Sequence, residues 1–205
     1  MEIARERGMR IEAILNTHVH ADHRSGDRAL AEATGAPIYY HRSAELGYAF
    51  TPLDDGGEVS LGNVIVRAMH TPGHTPESTS YLVSDRTRAQ EPWMVFTGDT
   101  LFVGDVGRPD LGGQQAAGVL FASLHEKLLV LPDYVEVYPA HISGSPCGRA
   151  MSGKPSSTIG FERRHNEALL APDCETFVLG ISTFLPPKPA DFAETVRRNR
   201  GGDRP

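Results

Sequence analysis

Four residues able to ligate a metal fall within six positions in the run Thr17-His18-Val19-His20-Ala21-Asp22-His23. Three imidazoles and a carboxylate this close together, directly after the apolar run Ala13-Ile14-Leu15, read as ligands launched from the end of a buried strand. A rigid strand end aims its ligands before any ion arrives, which is how a fold fixes metal geometry. Three later segments repeat the pattern, each running from a strand into a short polar loop. Val64 to Met69 leads to His74, Trp93 to Phe96 leads to Asp99, and Val135 to Tyr138 leads to His141. Glycine beside His74 and Asp99 suits sharp turns and close backbone approach. Imidazole and carboxylate together suit divalent transition ions, so these strand ends are expected to converge on one or two metals.

The elements that must position these loops follow from periodicity. Besides the four strands above, residues 37–40 and 79–84 read as strands, and 58–68 reads as two strands around the Gly62-Asn63 turn, the second of them the Val64 strand already named. Helices are expected at 26–34, 114–131, 157–166, 174–184 and 190–199. In the longest, Ala117, Leu120, Phe121, Leu124 and Leu128 follow the i, i+3, i+4, i+7 spacing, and Pro132 ends it. Strands interleaved with helices indicate an α/β fold whose sheets are covered by helices.

The blocks, in this order, resemble the metallo-β-lactamase fold superfamily. Gly98-Asp99-Thr100-Leu101-Phe102, followed by Gly107-Arg108-Pro109-Asp110, is similar to its glyoxalase II and persulfide dioxygenase branches. The stretches 144–148 (Gly-Ser-Pro-Cys-Gly) and 151–160 resemble persulfide dioxygenases that are often fused to a rhodanese domain. The resemblance implies an αββα sandwich, here lacking the first N-terminal strands because only seventeen residues precede His18. An uncovered sheet edge there would invite pairing with another chain. It further implies a catalytic domain over residues 1–185 and a polar, linker-like tail over 186–205, with no rhodanese following.

The same resemblance implies one Fe(II) per chain held by His18, His74 and Asp99, with open positions for a persulfide and dioxygen. His20, Asp22, His23 and His141 would then orient those ligands, or hold a second metal. The implied activity is oxidation of glutathione persulfide, or a related small persulfide, to sulfite and thiol in sulfide detoxification. The alternative is a glyoxalase II-like thioester hydrolase with two zinc ions bridged by Asp99. A non-enzymatic reading also stands: a metal-binding fragment that partners a sulfurtransferase. Arg108 reads as a residue at the cleft mouth suited to a substrate carboxylate, the alternative being a surface arginine. Cys147 reads as a thiol acting on sulfur near the site, or as a packed cysteine. Cys174, in an apolar helical stretch, reads as structural, and so does His70. His41, His125 and His165 read as surface or helix residues, while Lys154 and Ser156-Ser157-Thr158 read as shaping a loop or capping a helix.

Composition sets limits. The 205 residues are 40% hydrophobic, enough for one substantial core. A net charge of −6 offers no basic face for nucleic acid. No apolar run has membrane-spanning length, and two cysteines give no disulfide framework. The expectations are a cytoplasmic homo-oligomer with small-molecule substrates and a rhodanese or other sulfurtransferase as a partner.

Overall fold

Two β-sheets pack face to face, and the loops at one end of their strands carry every proposed ligand. The computed structural model describes residues 2–113, 115–183 and 185–202. A short helix, α1 (Glu2–Glu6), precedes β1 (Ile14–Leu15), α2 (Asp27–Thr34), β2 (Ile38–His41) and β3 (Thr51–Leu53). These three strands form a parallel sheet in the order β1-β2-β3. Then come β4 (Glu58–Leu61), β5 (Val64–His70), β6 (Thr79–Asp85) and β7 (Met94–Gly98), an antiparallel run. The helix α3 (Ala116–Ala122) leads to β8 (Glu136–Pro139), parallel to β7, and then β9 (Ser157–Thr158) closes the six-stranded order β4-β5-β6-β7-β8-β9. Helices α4 (Ile159–His165), α5 (Cys174–Ser182) and α6 (Phe192–Asn199) complete the described chain.

The sandwich predicted from the resemblance is present. One apolar cluster joins Leu53, Val59, Val66, Ala68, Tyr81 and Val83 to Ala13, Leu15 and Tyr39, so it lies between the two sheets. On the outer face of the larger sheet, Val95, Val137, Leu120, Leu124, Leu128, Ile159, Phe177 and Ile181 form the main core. On the outer face of the smaller sheet, Ile14, Ile38 and Tyr40 pack with Leu30 of α2 and Val196 of α6. Burying each such side chain is worth about 1.5–3 kcal/mol, which is what holds helices against both sheets.

Several elements differ informatively from the sequence reading. The helix expected over 114–131 is α-helical only from Ala116 to Ala122 and continues as a π-helical turn, Ser123–Leu128. There the Leu129 amide donates to the Leu124 carbonyl. The register change lets Ser123 Oγ donate to the Pro72 carbonyl at 2.7 Å and Lys127 Nζ to the His70 carbonyl at 2.8 Å. Both bonds clamp the loop that carries His74, a use of π geometry that no hydrophobic period reveals. Helix 157–166 splits into β9 and α4, with Thr158 as N-cap: its Oγ1 accepts from the Phe161 amide at 3.2 Å. That is the capping use expected of the Ser156-Ser157-Thr158 group. Cys174 is exposed at the start of α5, because Phe177 and Ile181 carry that helix's buried face. Gln114 and Phe184, at the predicted ends of two helices, lie outside the described residues. The helix expected over 190–199 is present as α6 (Phe192–Asn199), and although it lies in the segment read as a linker-like tail it docks on the body of the domain.

Candidate metal centre

Four strands of two sheets deliver the candidate ligands. His18, His20, Asp22 and His23 follow β1; His74 follows β5; Asp99 follows β7; His141 follows β8. The crossing between sheets is stitched by hydrogen bonds. Thr79 donates its amide to the Thr17 carbonyl at 2.8 Å, and the Tyr81 hydroxyl donates to the Asn16 carbonyl at 2.7 Å. The Val19 amide donates to Glu77 Oε1 at 2.9 Å, deep in the structure. Gly98 turns through a positive φ of 54° with Thr17 so close that a methyl group there would lie 2.7 Å from the threonine side chain. Only glycine takes that turn and that contact without strain.

The donor atoms sort into two groups. His18, His74 and Asp99 are each about 1% exposed and bring one ligand atom apiece within 4.8 Å of one another. His18 Nε2 lies 3.7 Å and His74 Nε2 3.4 Å from Asp99 Oδ2. Ligands about 2.1 Å from a common ion stand about 3.0–3.4 Å apart; the His74 spacing meets that range and the His18 spacing exceeds it by about 0.3 Å. His20, Asp22, His23 and His141 form the second group, half-buried except for exposed His23, again within 4.8 Å of one another. Asp99 and His141 link the groups: His141 donates Nδ1 to Asp99 Oδ1 at 2.8 Å and Nε2 to Asp22 Oδ2 at 2.9 Å.

Ionisation fits the same description. Burial drives His18 well below the usual imidazole range, and burial together with neighbouring His23 lowers His20 to about 4. Both are therefore neutral at pH 7, the form that binds metal. Burial opposes charge on Asp99 and Asp22, but the surrounding imidazoles and the bonds from His141 outweigh it and hold both carboxyls below their usual range. Burial also opposes charge on His141, yet its bonds to Asp22 and Asp99 push it up to about 10. An imidazolium between two carboxylates occupies the electrostatic role that a metal cation would take. His20 Nδ1 is buried with no hydrogen-bond partner, a cost that a bound cation would remove. The donor set fits a metal ion.

The surrounding bonds set the tautomers. His74 Nδ1 donates to the Arg108 carbonyl at 3.0 Å, which leaves Nε2 facing Asp99. His18 Nδ1 pairs with Thr17 Oγ1 at 3.0 Å. Gly107 sits against the Asp99 carbonyl and His74 Cβ so closely that a methyl group would collide with the carbonyl oxygen at 1.8 Å. Cys147, about 1% exposed, lies with its sulfur within 4.8 Å of Asp99 and His141 donor atoms. Burial, followed by the charges of Asp99 and Asp22, pushes its thiol up. His70 stacks on His41 with centroids 3.6 Å apart and donates Nε2 to the Pro76 carbonyl. His125 stacks on Phe121 and His165 tilts against Phe161.

Arg108 is placed differently from the open cleft mouth expected of it. Its side chain is about 2% exposed, and its guanidinium donates to both oxygens of Asp110 and to the Pro146 carbonyl. The backbone around it also binds, the Arg108 amide donating to the Cys147 carbonyl at 3.0 Å. Arg108 thus couples the His74 ring to the segment carrying Cys147. Sequence reasoning also missed Glu77 and Asn199, which hold the backbone of the His18 loop. Glu77 was findable, since it directly follows the Thr71-to-Pro76 loop; Asn199 carried no local signal.

A metallo-beta-lactamase superfamily model matches residues 1–141, and the chain belongs to that superfamily. Within it, the chain is 32% identical to the human mitochondrial persulfide dioxygenase ETHE1, over all of this chain and 75% of that protein. A solved ETHE1 from Myxococcus xanthus superposes with a TM-score of 0.84 at 31% identity, covering 99% of this chain and 82% of the other. A metallo-beta-lactamase from Staphylococcus aureus superposes with a TM-score of 0.91 at 36% identity over 99% of this chain. This chain spans 62% of that Staphylococcus aureus chain.

Proposed function

We propose that the chain is a persulfide dioxygenase that oxidises glutathione persulfide, or a related small persulfide, at one non-haem Fe(II) held by His18, His74 and Asp99. The observation that carries this reading is the buried face of two imidazoles and one carboxylate, in a chain similar over its whole length to persulfide dioxygenases. Such a face suits ferrous iron with open positions. When bound, the iron supplies a path for electrons from the persulfide sulfur to dioxygen. One persulfide, one dioxygen and one water give one thiol, one sulfite and two protons.

The protein's own residues do the rest. The Arg108 carbonyl holds the His74 ring in its ligating tautomer, a bond whose loss in comparable sites lowers metal affinity about 10–100-fold. His141, bonded to both Asp22 and Asp99, is placed to hold or pass a proton beside the carboxylate face. Cys147, with its thiol kept protonated by burial, lies with its sulfur beside the Asp99 and His141 donor atoms and is assigned a role in handling substrate sulfur. Substrate contact by Arg108 requires its pair with Asp110 to open, so its first role is to position His74. We place the protein in a reducing cytoplasm, in keeping with two free cysteines, and propose a sulfurtransferase of the rhodanese type as donor of the persulfide and a homo-oligomeric state. Among the described residues no helix is long and apolar enough to cross a membrane.

A second reading, a dinuclear zinc thioester hydrolase, is favoured by one observation: His20, Asp22, His23 and His141 form a second complete donor cluster. Anaerobic purification decides between them. About one iron per chain, with oxygen uptake only when glutathione persulfide is added, is the expected result. Two zinc ions per chain with hydrolysis of S-lactoylglutathione would replace the first reading by the second.

A further inference from the structure

We infer that the C-terminal helix is part of the metal centre and that Asn199 is its positioning residue. Asn199 is about 4% exposed, and its side chain meets three backbone groups of the His18 loop. Its Nδ2 donates to the carbonyls of His20 and His23, each at 2.8 Å, and its Oδ1 accepts from the Ser25 amide at 2.9 Å. The two carbonyls bracket Asp22, so one amide group sets the curvature that points His20, Asp22 and His23 at His141. A loop of this kind has neither strand nor helix to hold it, and buried backbone groups must find partners elsewhere.

The docking of the surrounding segment makes that amide rigid. Val196 packs into the apolar cluster of α2 and the smaller sheet, and the Gly47 amide donates to the Arg200 carbonyl at 2.7 Å. At the other end of the segment, Lys188 Nζ pairs with Asp110 Oδ2 at 3.1 Å. Phe192 is buried, with the Arg108 guanidinium 5.9 Å from its ring centre. The segment therefore grips both halves of the site: Asn199 holds the loop after β1, and Lys188 and Phe192 abut the Arg108–Asp110 pair that leads to His74. A stretch that reads as a polar linker is the strap across the donor clusters.

This inference rests on the metal-centre reading but not on which reaction the centre performs. Asn199→Asp is the decisive variant, since it keeps size and the acceptor for Ser25 while replacing two donors by an oxygen facing two carbonyls. Co(II) is the probe, with affinity measured by chelator competition and geometry by its visible spectrum. The expected result is at least a tenfold loss of Co(II) affinity and a changed spectrum, with faster amide hydrogen exchange across residues 19–25 in the metal-free chain. Asn199→Ala provides the same test if the aspartate variant does not fold. Ile181→Ala, on α5 and buried in the main core away from this helix, should lower the thermal midpoint and leave the Co(II) spectrum unchanged. Asn199 variants with wild-type Co(II) affinity and loop exchange would overturn the inference, as would losses no greater than those of Ile181→Ala at equal thermal midpoint. A wild-type chain that takes up no Co(II) would instead remove the metal-centre reading, and the exchange measurement would still decide the part played by Asn199.

Discussion

Gly107→Ala adds a single methyl group and tests whether the backbone beside Asp99 sets the ligand geometry. The methyl would stand 1.8 Å from the Asp99 carbonyl oxygen and 3.2 Å from His74 Cβ. Reaching the 3.4 Å of ordinary contact with that oxygen requires a separation of about 1.6 Å. Both partners are backbone, so no rotamer change relieves the collision. Overpacking of this kind costs about 1–3 kcal/mol, which in a chain of this size lowers the melting midpoint by about 2–12 °C. The effect on the centre should be larger in proportion. Metal sites need donors held within about 0.5 Å of their working positions, and the required displacement is about three times that. Melting of the metal-free chain measures the first effect, and Co(II) or Fe(II) retention against a chelator measures the second. The expected outcome is a folded chain with a modestly lowered midpoint and at least a hundredfold weaker metal retention. Wild-type metal retention in the folded variant would refute the argument that close approach at Gly107 sets the positions of Asp99 and His74.

Cys147→Ser should leave metal content unchanged while lowering turnover with glutathione persulfide; equal kcat and KM would reduce Cys147 to a packing residue. Arg108→Ala should lose metal retention along with activity, because the segment positioning His74 loosens; a pure rise in KM with metal retained would restore direct substrate contact. The metal-free chain should melt at its highest temperature near pH 6.5, the ordinary imidazole value. His141, raised to about 10, contributes stability that is full below about pH 6.5 and is lost as pH rises through about 10. His20, lowered to about 4, makes protonation of the unfolded chain costly to the fold, so stability also falls from about pH 6.5 down through about 4. Midpoints read by circular dichroism that climb steadily toward pH 9 would contradict the charged state assigned to His141.

The order and spacing of polar residues after apolar runs were enough to single out the candidate donors that the fold brings together. The run from His18 to His23, with His74, Asp99 and His141 each closing a strand, announces ligands because strand periodicity and ligand chemistry are both local properties. The same locality explains β2, β5, β6, β7 and β8, and the N-cap at Thr158. Tertiary structure decided what depends on distant atoms meeting. It buried Arg108 against Asp110 rather than leaving it at an open mouth, since the fate of a guanidinium depends on which carboxylate folds beside it. It turned the second half of the long helix into a π-helical clamp on the His74 loop, because a hydrophobic stripe records a face and not the hydrogen-bond register behind it. It placed Asn199 against carbonyls nearly 180 residues away, a contact between a side chain and a backbone that leaves no mark in either stretch of sequence. The sequence by itself names the atoms able to bind a metal, while only the packed fold decides which neighbours hold those atoms still.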